Sequence, residues 1–309
     1  MIIMSDLACQ NAEVYPYSSL RIVLVEPAGG LNVGSITRVM KNMGLSNLVL
    51  VKPKCDPLGE DARQMAVHAD DILAAARVVE SVPEALQGCH RVVATTARDR
   101  DLSLPVDAPK EGLRWLLESE PTGKPDLPTS MDSLASALLF GPEDRGLSNA
   151  ELIYAQRLIN IPTNPDYASL NLAQAVTICC YELRQLISPE LFQRPDASPP
   201  SQSPMSSAPR ETGAIEPGET TDPLEEQPHD TDIAPFEMLE GYYQQLEEVL
   251  LRIGYLYPHT AKRRMEKFRL MFNRSSLSAN EVAMLRGILR QIEWATHTDT
   301  TTQQTESEG

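Results

Sequence analysis

A long stretch from Pro195 to about Pro235 divides this chain in two. It is dense in Pro, Ser, Thr, Glu and Asp and carries almost no large apolar side chain. Such a segment cannot bury enough surface to offset the entropy of ordering it, so residues 191–235 are expected to be an acidic, disordered linker. The flanking pieces must then build their own hydrophobic cores. We expect a flexible N-terminus over residues 1–18, a larger domain over 19–190, a small domain over 236–295 and a disordered tail over 296–309.

The division also explains the charge. The net value of −16 looks unsuited to a polyanion, yet it is unevenly spread. Residues 1–195 carry 17 basic and 24 acidic side chains, and residues 196–235 carry 1 and 9. Only residues 236–295 have an excess of cations, 9 against 7. Positive charge is therefore local, and binding to nucleic acid is not excluded. Five cysteines, Cys9, Cys55, Cys89, Cys179 and Cys180, form no paired framework and no C-x-x-C spacing, which suits a reducing cytoplasm. The first twenty residues lack a basic then apolar leader pattern, and apolar runs such as Leu134–Phe140 are too short to span a bilayer. A cytoplasmic protein without a membrane segment is the expectation.

In the larger domain, short apolar or β-branched runs alternate with helical patterns. Arg21–Val25, Asn47–Val51, Arg91–Thr95, Leu134–Phe140 and Arg157–Ile161 read as buried strands. Ser35–Met43, Val82–Gln87, Lys110–Leu117 and Leu170–Leu186 read as helices, the last with Ser169 as its N-cap. This alternation predicts an α/β fold around a largely parallel sheet. The small domain shows three helical stretches, Phe236–Ile253, Thr260–Phe272 and Ser278–Trp294, the third opening on a capping box from Ser278 to Glu281. Lys262, Arg263, Arg264, Lys267 and Arg269 lie close enough on the second to form a basic face. That face fits RNA phosphates or plain solvation equally well.

Three clusters follow strands. The first, Pro27-Ala-Gly-Gly-Leu-Asn-Val-Gly-Ser-Ile-Thr-Arg38, passes through Gly29, Gly30 and Gly34 into a helix. Its spacing is not G-x-G-x-x-G, and Lys52 and Lys54 end the next strand where a ribose-binding acid would stand, so a dinucleotide fold is rejected. Alone, it reads as a tight turn with Arg38 a solvated cation. The second, Leu139-Phe-Gly-Pro-Glu-Asp-Arg-Gly-Leu-Ser148, suits either a ligand loop or a turn capped by Ser148. The third, Ile161-Pro-Thr-Asn-Pro-Asp-Tyr-Ala-Ser-Leu-Asn-Leu-Ala173, suits either a capped connection or amides presented to a ligand. His68, His90, His229, His259 and His297 are scattered, and no Cys/His group has metal-ligand spacing.

In this order, the clusters resemble the SpoU (TrmH-like) branch of the SPOUT methyltransferases, and most closely the TrmJ-like tRNA 2′-O-methyltransferases. The Ala97-Arg-Asp-Arg100 run and the C-terminal Tyr242-Tyr-Gln-Gln-Leu-Glu-Glu and Met284-Leu-Arg-Gly-Ile-Leu also fit. The resemblance implies a SPOUT-type parallel sheet with a C-terminal trefoil knot, plus the small all-helical domain. It implies S-adenosylmethionine (SAM) as methyl donor, tRNA nucleotide 32 as substrate, a homodimer and no metal. It assigns catalytic roles to Arg38, Asn32, Glu143, Ser169 and Asn171, with Gly146 in the same motif as Glu143. It places SAM around Thr95, Gly141, Ile161, Ser169, Leu170 and Asn171, and RNA on Arg38, Lys262, Arg263, Arg264 and Lys267. Because an arginine pKa lies above about 12, Arg38 is read as a fork that grips a phosphate and orients the hydroxyl, not as a base. The alternatives are a ribosomal RNA methyltransferase of the same family and a non-catalytic RNA-binding protein.

Overall fold

The computed structural model describes residues 19–98, 102–118, 135–187 and 233–306; the expected N-terminal segment, the expected linker up to residue 232 and His229 lie outside them. Seven parallel strands form one sheet in the order β3-β2-β1-β6-β4-β7-β5. The strands are β1 (Leu20–Val25), β2 (Asn47–Val51), β3 (Arg77–Val79), β4 (Cys89–Thr95), β5 (Val106–Asp107), β6 (Ala135–Phe140) and β7 (Arg157–Ile159). The helices are α1 (Gly30–Met43), α2 (Glu60–Ala66), α3 (Asp70–Ala75), α4 (Val82–Leu86), α5 (Pro109–Leu117), α6 (Asn149–Leu152) and α7 (Leu172–Ile187).

Continuous apolar strands arise because both faces of the sheet are covered. On β1, Leu20, Ile22 and Leu24 join one buried cluster with α1, α2, α5 and α7, while Val23 and Val25 join the other with α4 and α6. On β6, Leu138 and Phe140 face the first layer and Ala137 and Leu139 the second. Each side chain is removed from water on whichever face it meets, so alternation is lost from the sequence while the strand remains strong.

Gly34 is set by packing and not by a turn. It lies inside α1, and a Cβ there would stand 2.0 Å from the Ala62 carbonyl oxygen and 2.9 Å from the Met65 Cβ. α1 and α2 therefore cross at backbone contact. Gly34→Ala is expected to cost about 3 kcal/mol, since overpacking against backbone has no side chain to displace. Urea denaturation measures this, and an unchanged midpoint would contradict the close approach.

The C-terminal helices are α8 (Phe236–Arg252), α9 (Pro258–Asn273) and α10 (Ala279–Glu306). The capping box is present: the Ser278 amide donates to Glu281 at 2.8 Å and the Glu281 amide to Ser278 Oγ at 3.2 Å. α10 continues past Trp294, where the sequence pattern ends. The linker expected over 191–235 would leave the helices an independent module, but Phe236 inserts into the sheet's second apolar cluster. Tyr154 meets the Phe236 ring edge-on at 6.0 Å, Asn273 Nδ2 donates to the Ile153 carbonyl at 2.7 Å, and the Gly88 amide donates to Glu237 at 2.9 Å. The helical unit is docked against the second layer of the sheet.

Among the expected basic residues, Arg269 is the exception. Its guanidinium grips both carboxylate oxygens of Glu240 and lies 4.5 Å from the Tyr243 ring centroid and 5.7 Å from that of Tyr154. It belongs to the junction between the two units. Lys262, Arg263, Arg264 and Lys267 remain exposed on α9. No helix among the described residues is long and apolar enough to cross a membrane.

Candidate active site

Strands β1, β6, β4 and β7 are neighbours in the sheet, so the loops leaving their carboxyl ends gather at one edge. All three sequence clusters run through those loops, and Thr95 is the last residue of β4. Parallel sheets commonly bind ligands there.

The loops are joined by a polar chain. Glu143 accepts from the Ala28 amide at 3.0 Å, the Gly29 amide at 3.3 Å and Asn32 Nδ2 at 2.7 Å. Asn171 Nδ2 then donates to Asn32 Oδ1 at 3.0 Å. α1 begins at Gly29 without a side-chain cap of its own, so the Glu143 carboxylate from another loop serves its N-terminus. Burial pushes the Glu143 carboxyl up, but the donors from Asn32, Ala28 and Gly29 prevail and hold it below its ordinary value.

Asn171, not Ser169, caps α7. Its Oδ1 accepts from the Ala173 amide at 2.9 Å and the Gln174 amide at 3.4 Å, while the Gln174 side chain accepts from the Asn171 amide at 3.2 Å. The helix consequently starts at Leu172 and leaves Ser169 and Leu170 in the loop. One asparagine thus spends its oxygen on the helix and its nitrogen on Asn32.

The Glu143 loop doubles back tightly. A Cβ on Gly141 would fall 2.2 Å from the Leu147 nitrogen, and Gly146 has φ +65°, where glycine is favoured. Arg145 fixes the outer side by a paired contact with Glu151, at 2.9 and 3.0 Å, and another with Glu26 at 3.3 Å. Glu151 also accepts from the Ser148 amide at 2.6 Å, so the capping role foreseen for Ser148 coexists with a ligand loop. Burial raises the Glu151 carboxyl, and Arg145 with the Ser148 donors more than reverses this, leaving it below the ordinary 4.5. A depressed carboxyl stabilises above its unfolded value and loses that contribution as pH falls through the folded one. Acidification below 4.5 should therefore lower the melting temperature, and Glu151→Gln should reduce the slope. An identical slope in that variant would contradict the assignment.

Beside the polar chain lies a cavity of about 250 Å³. Thr95, Gly141, Ile161, Ser169 and Leu170 line it, as does Glu143; Asn32 and Asn171 stand outside the lining and reach it through Glu143. Thr95 Oγ1 is spent on the Leu139 carbonyl at 3.0 Å, which ties β4 to β6 at the cavity floor. Sequence reasoning named no role for Thr96, Ala97, Arg98 or Leu147, which also line it. For Arg98 the signal was the Ala97-Arg-Asp-Arg100 run directly after β4.

Arg38 is not brought to this cavity. It is exposed on α1, six residues beyond Asn32, which is about 9 Å along the axis and on another face. Nucleophilic thiols are absent from the cavity lining: burial pushes Cys89 up to about 11 and Cys180 up to about 12. No cluster of metal-ligating side chains occurs among the described residues.

Residues 19–181 match the model of the SpoU rRNA methylase family, which covers more than half of the chain. The chain belongs to the SpoU methylase family. Residues 237–306 match the C-terminal domain of the tRNA methyltransferase TrmJ. The chain is 38% identical over 275 residues to the tRNA (cytidine/uridine/adenosine-2′-O-)-methyltransferase TrmJ of Pseudomonas aeruginosa, covering 89% of this chain and 93% of that protein. It is 36% identical to the tRNA (cytidine/uridine-2′-O-)-methyltransferase TrmJ of Pectobacterium atrosepticum, over 89% and 97% of the two chains. The crystal structure of TrmJ from Z. mobilis superposes with a TM-score of 0.65 at 30% identity, covering 88% of this chain and 98% of that one. SpoU membership thus accounts for the sheet and its loops, and the TrmJ match for the helical unit docked beside them.

Proposed function

We propose that this protein methylates the 2′-hydroxyl of a ribose in the tRNA anticodon loop, at nucleotide 32, using SAM. The observation that carries the reading is the convergence of the chain segments that follow β4, β6 and β7 on one cavity, with the loop after β1 fastened beside it by the Asn32 bonds to Glu143 and Asn171. Relatives that span nearly the whole chain bear names with the same reaction class, and the TrmJ-type C-terminal unit favours tRNA over ribosomal RNA.

The cavity's chemistry suits the donor. Phe140, Leu147, Ile161 and Leu172 offer apolar walls for a heterocycle, and the Gly141–Leu147 and Ser169–Leu170 backbones offer polar groups at close approach. Thr95, Gly141, Ile161, Ser169 and Leu170 would hold SAM, which supplies an electrophilic methyl group when bound. The protein's task is then to align the ribose oxygen and assist loss of its proton. With three donors on its carboxylate, Glu143 acts as a clamp that shapes the first loop, and Asn32 and Asn171 transmit that constraint to the third. Arg38 presents a fixed cationic fork suited to a phosphate, which would position the sugar hydroxyl.

Because Arg38 stands away from its own cavity, we infer that a second copy supplies it and that the working unit is a homodimer. Two domains, 19–190 and 236–295, joined by residues 191–235, a knotted third loop and a cytoplasmic location complete this reading. Purified protein incubated with labelled SAM and with total tRNA or ribosomal RNA tests it. Label on the ribose at nucleotide 32 of tRNA is expected; label only in ribosomal RNA, or none, would overturn it.

A further inference from the structure

We propose that the corner between α8 and α9 is a binding site for an unpaired base of single-stranded RNA, with Tyr257 as the stacking platform. The inference rests on the reading that RNA is the substrate, and extends it from phosphate contacts to base contacts.

Gly254, at φ +75°, turns the chain out of α8, and Leu256, 2% exposed, anchors the corner in the helical core. The residues on either side of that anchor project outward: Tyr255 is 52% and Tyr257 56% exposed. Exposing two tyrosines forgoes burial that the nearby core could offer. The Tyr257 backbone is held, because its carbonyl accepts from the Thr260 and Ala261 amides at 2.8 and 2.9 Å as α9 begins. Its ring is inclined by 25° to that of His259 in a stacked arrangement with centroids 5.9 Å apart, so His259 backs the platform. Arg264 lies over Tyr255 at 5.5 Å and donates to its carbonyl at 3.2 Å, and Tyr255 also meets Phe268 at 6.4 Å, so Tyr255 braces the corner and Tyr257 is left as the platform.

Charge selects the partner. From Val249 to Met265 the sequence holds Arg252, Lys262, Arg263 and Arg264 and no carboxylate, within a chain of net charge −16. Lys262 and Arg263 are exposed on the turn that follows the tyrosines. An anionic backbone with flat, unstacked bases matches both features at once, whereas duplex RNA hides its base faces. An acidic peptide would meet the cations but leave the rings unused.

Fluorescence anisotropy with the full chain tests the proposal, using a short single-stranded pyrimidine RNA and the same strand with abasic sites. Tyr257→Ala is expected to weaken binding of the intact strand about tenfold and to leave the abasic strand unaffected. Tyr257→Phe should restore the intact strand, since stacking needs the ring and not the hydroxyl. The salt dependence should be unchanged in Tyr257→Ala and shallower in Lys262→Ala/Arg263→Ala, where phosphate contacts are lost. Equal affinities for intact and abasic strands, or no effect of Tyr257→Ala, would overturn the site. Such a result alongside methylation of tRNA would leave the proposed reaction standing.

Discussion

Arg38→Ala is expected to lower the rate of ribose methylation by at least about a hundredfold while SAM affinity stays the same, because orientation of the reacting oxygen is lost and the donor's cavity is untouched. Single-turnover assays with tRNA and calorimetric titration with SAM separate the two effects. Arg38 lines no part of the cavity and is exposed on α1, so no folding defect should accompany the loss. Arg38→Lys should recover little, since a point cation lacks the two-pronged geometry of the guanidinium. Near-normal methylation in Arg38→Ala would remove this residue from the mechanism and weaken the case for a second copy at the site.

Glu143→Ala is the broader lesion. It leaves the Ala28 and Gly29 amides and the Asn32 side chain without their acceptor, and it removes the cap on α1. Losing the charged acceptor shared by these partly exposed donors costs about 1–3 kcal/mol, and the same change should lower both SAM affinity and turnover by about a hundredfold or more. Glu143→Gln keeps one acceptor oxygen but turns an NH2 group against an amide, so it should fall between the two proteins in stability. Denaturation and SAM titration on the three proteins measure this order. Unchanged SAM affinity in Glu143→Ala would contradict the clamp.

The interior of the sheet was legible because its strands are long, apolar and bounded by turns; Asn47–Val51 matches residue for residue. β3 and β5 were not, because edge strands of three and two residues, largely exposed, leave no pattern to detect. The strand expected over Arg157–Ile161 ends at Ile159, with the Asn160 amide making the last bond across to β5 at the Asp107 carbonyl. Within the site, the residue types were readable but their partners were not. Ser169 and Asn171 are both good caps by chemistry, and only the fold decides that Asn171 takes the role. Arg269 shares a helix with four exposed cations, yet contact with Glu240 and Tyr243 across the junction makes it structural. The docking of α8 was hidden for the same reason, since the apolar surface that receives Phe236 is assembled from distant strands.

A crystal structure with S-adenosylhomocysteine bound most directly tests whether the three loops make one donor site. The account predicts the ligand seated between the Gly141–Leu147 loop and the Ile161–Leu172 segment, against Thr95 and beside Glu143. Ligand found elsewhere on the protein, with this cavity left to water, would contradict it.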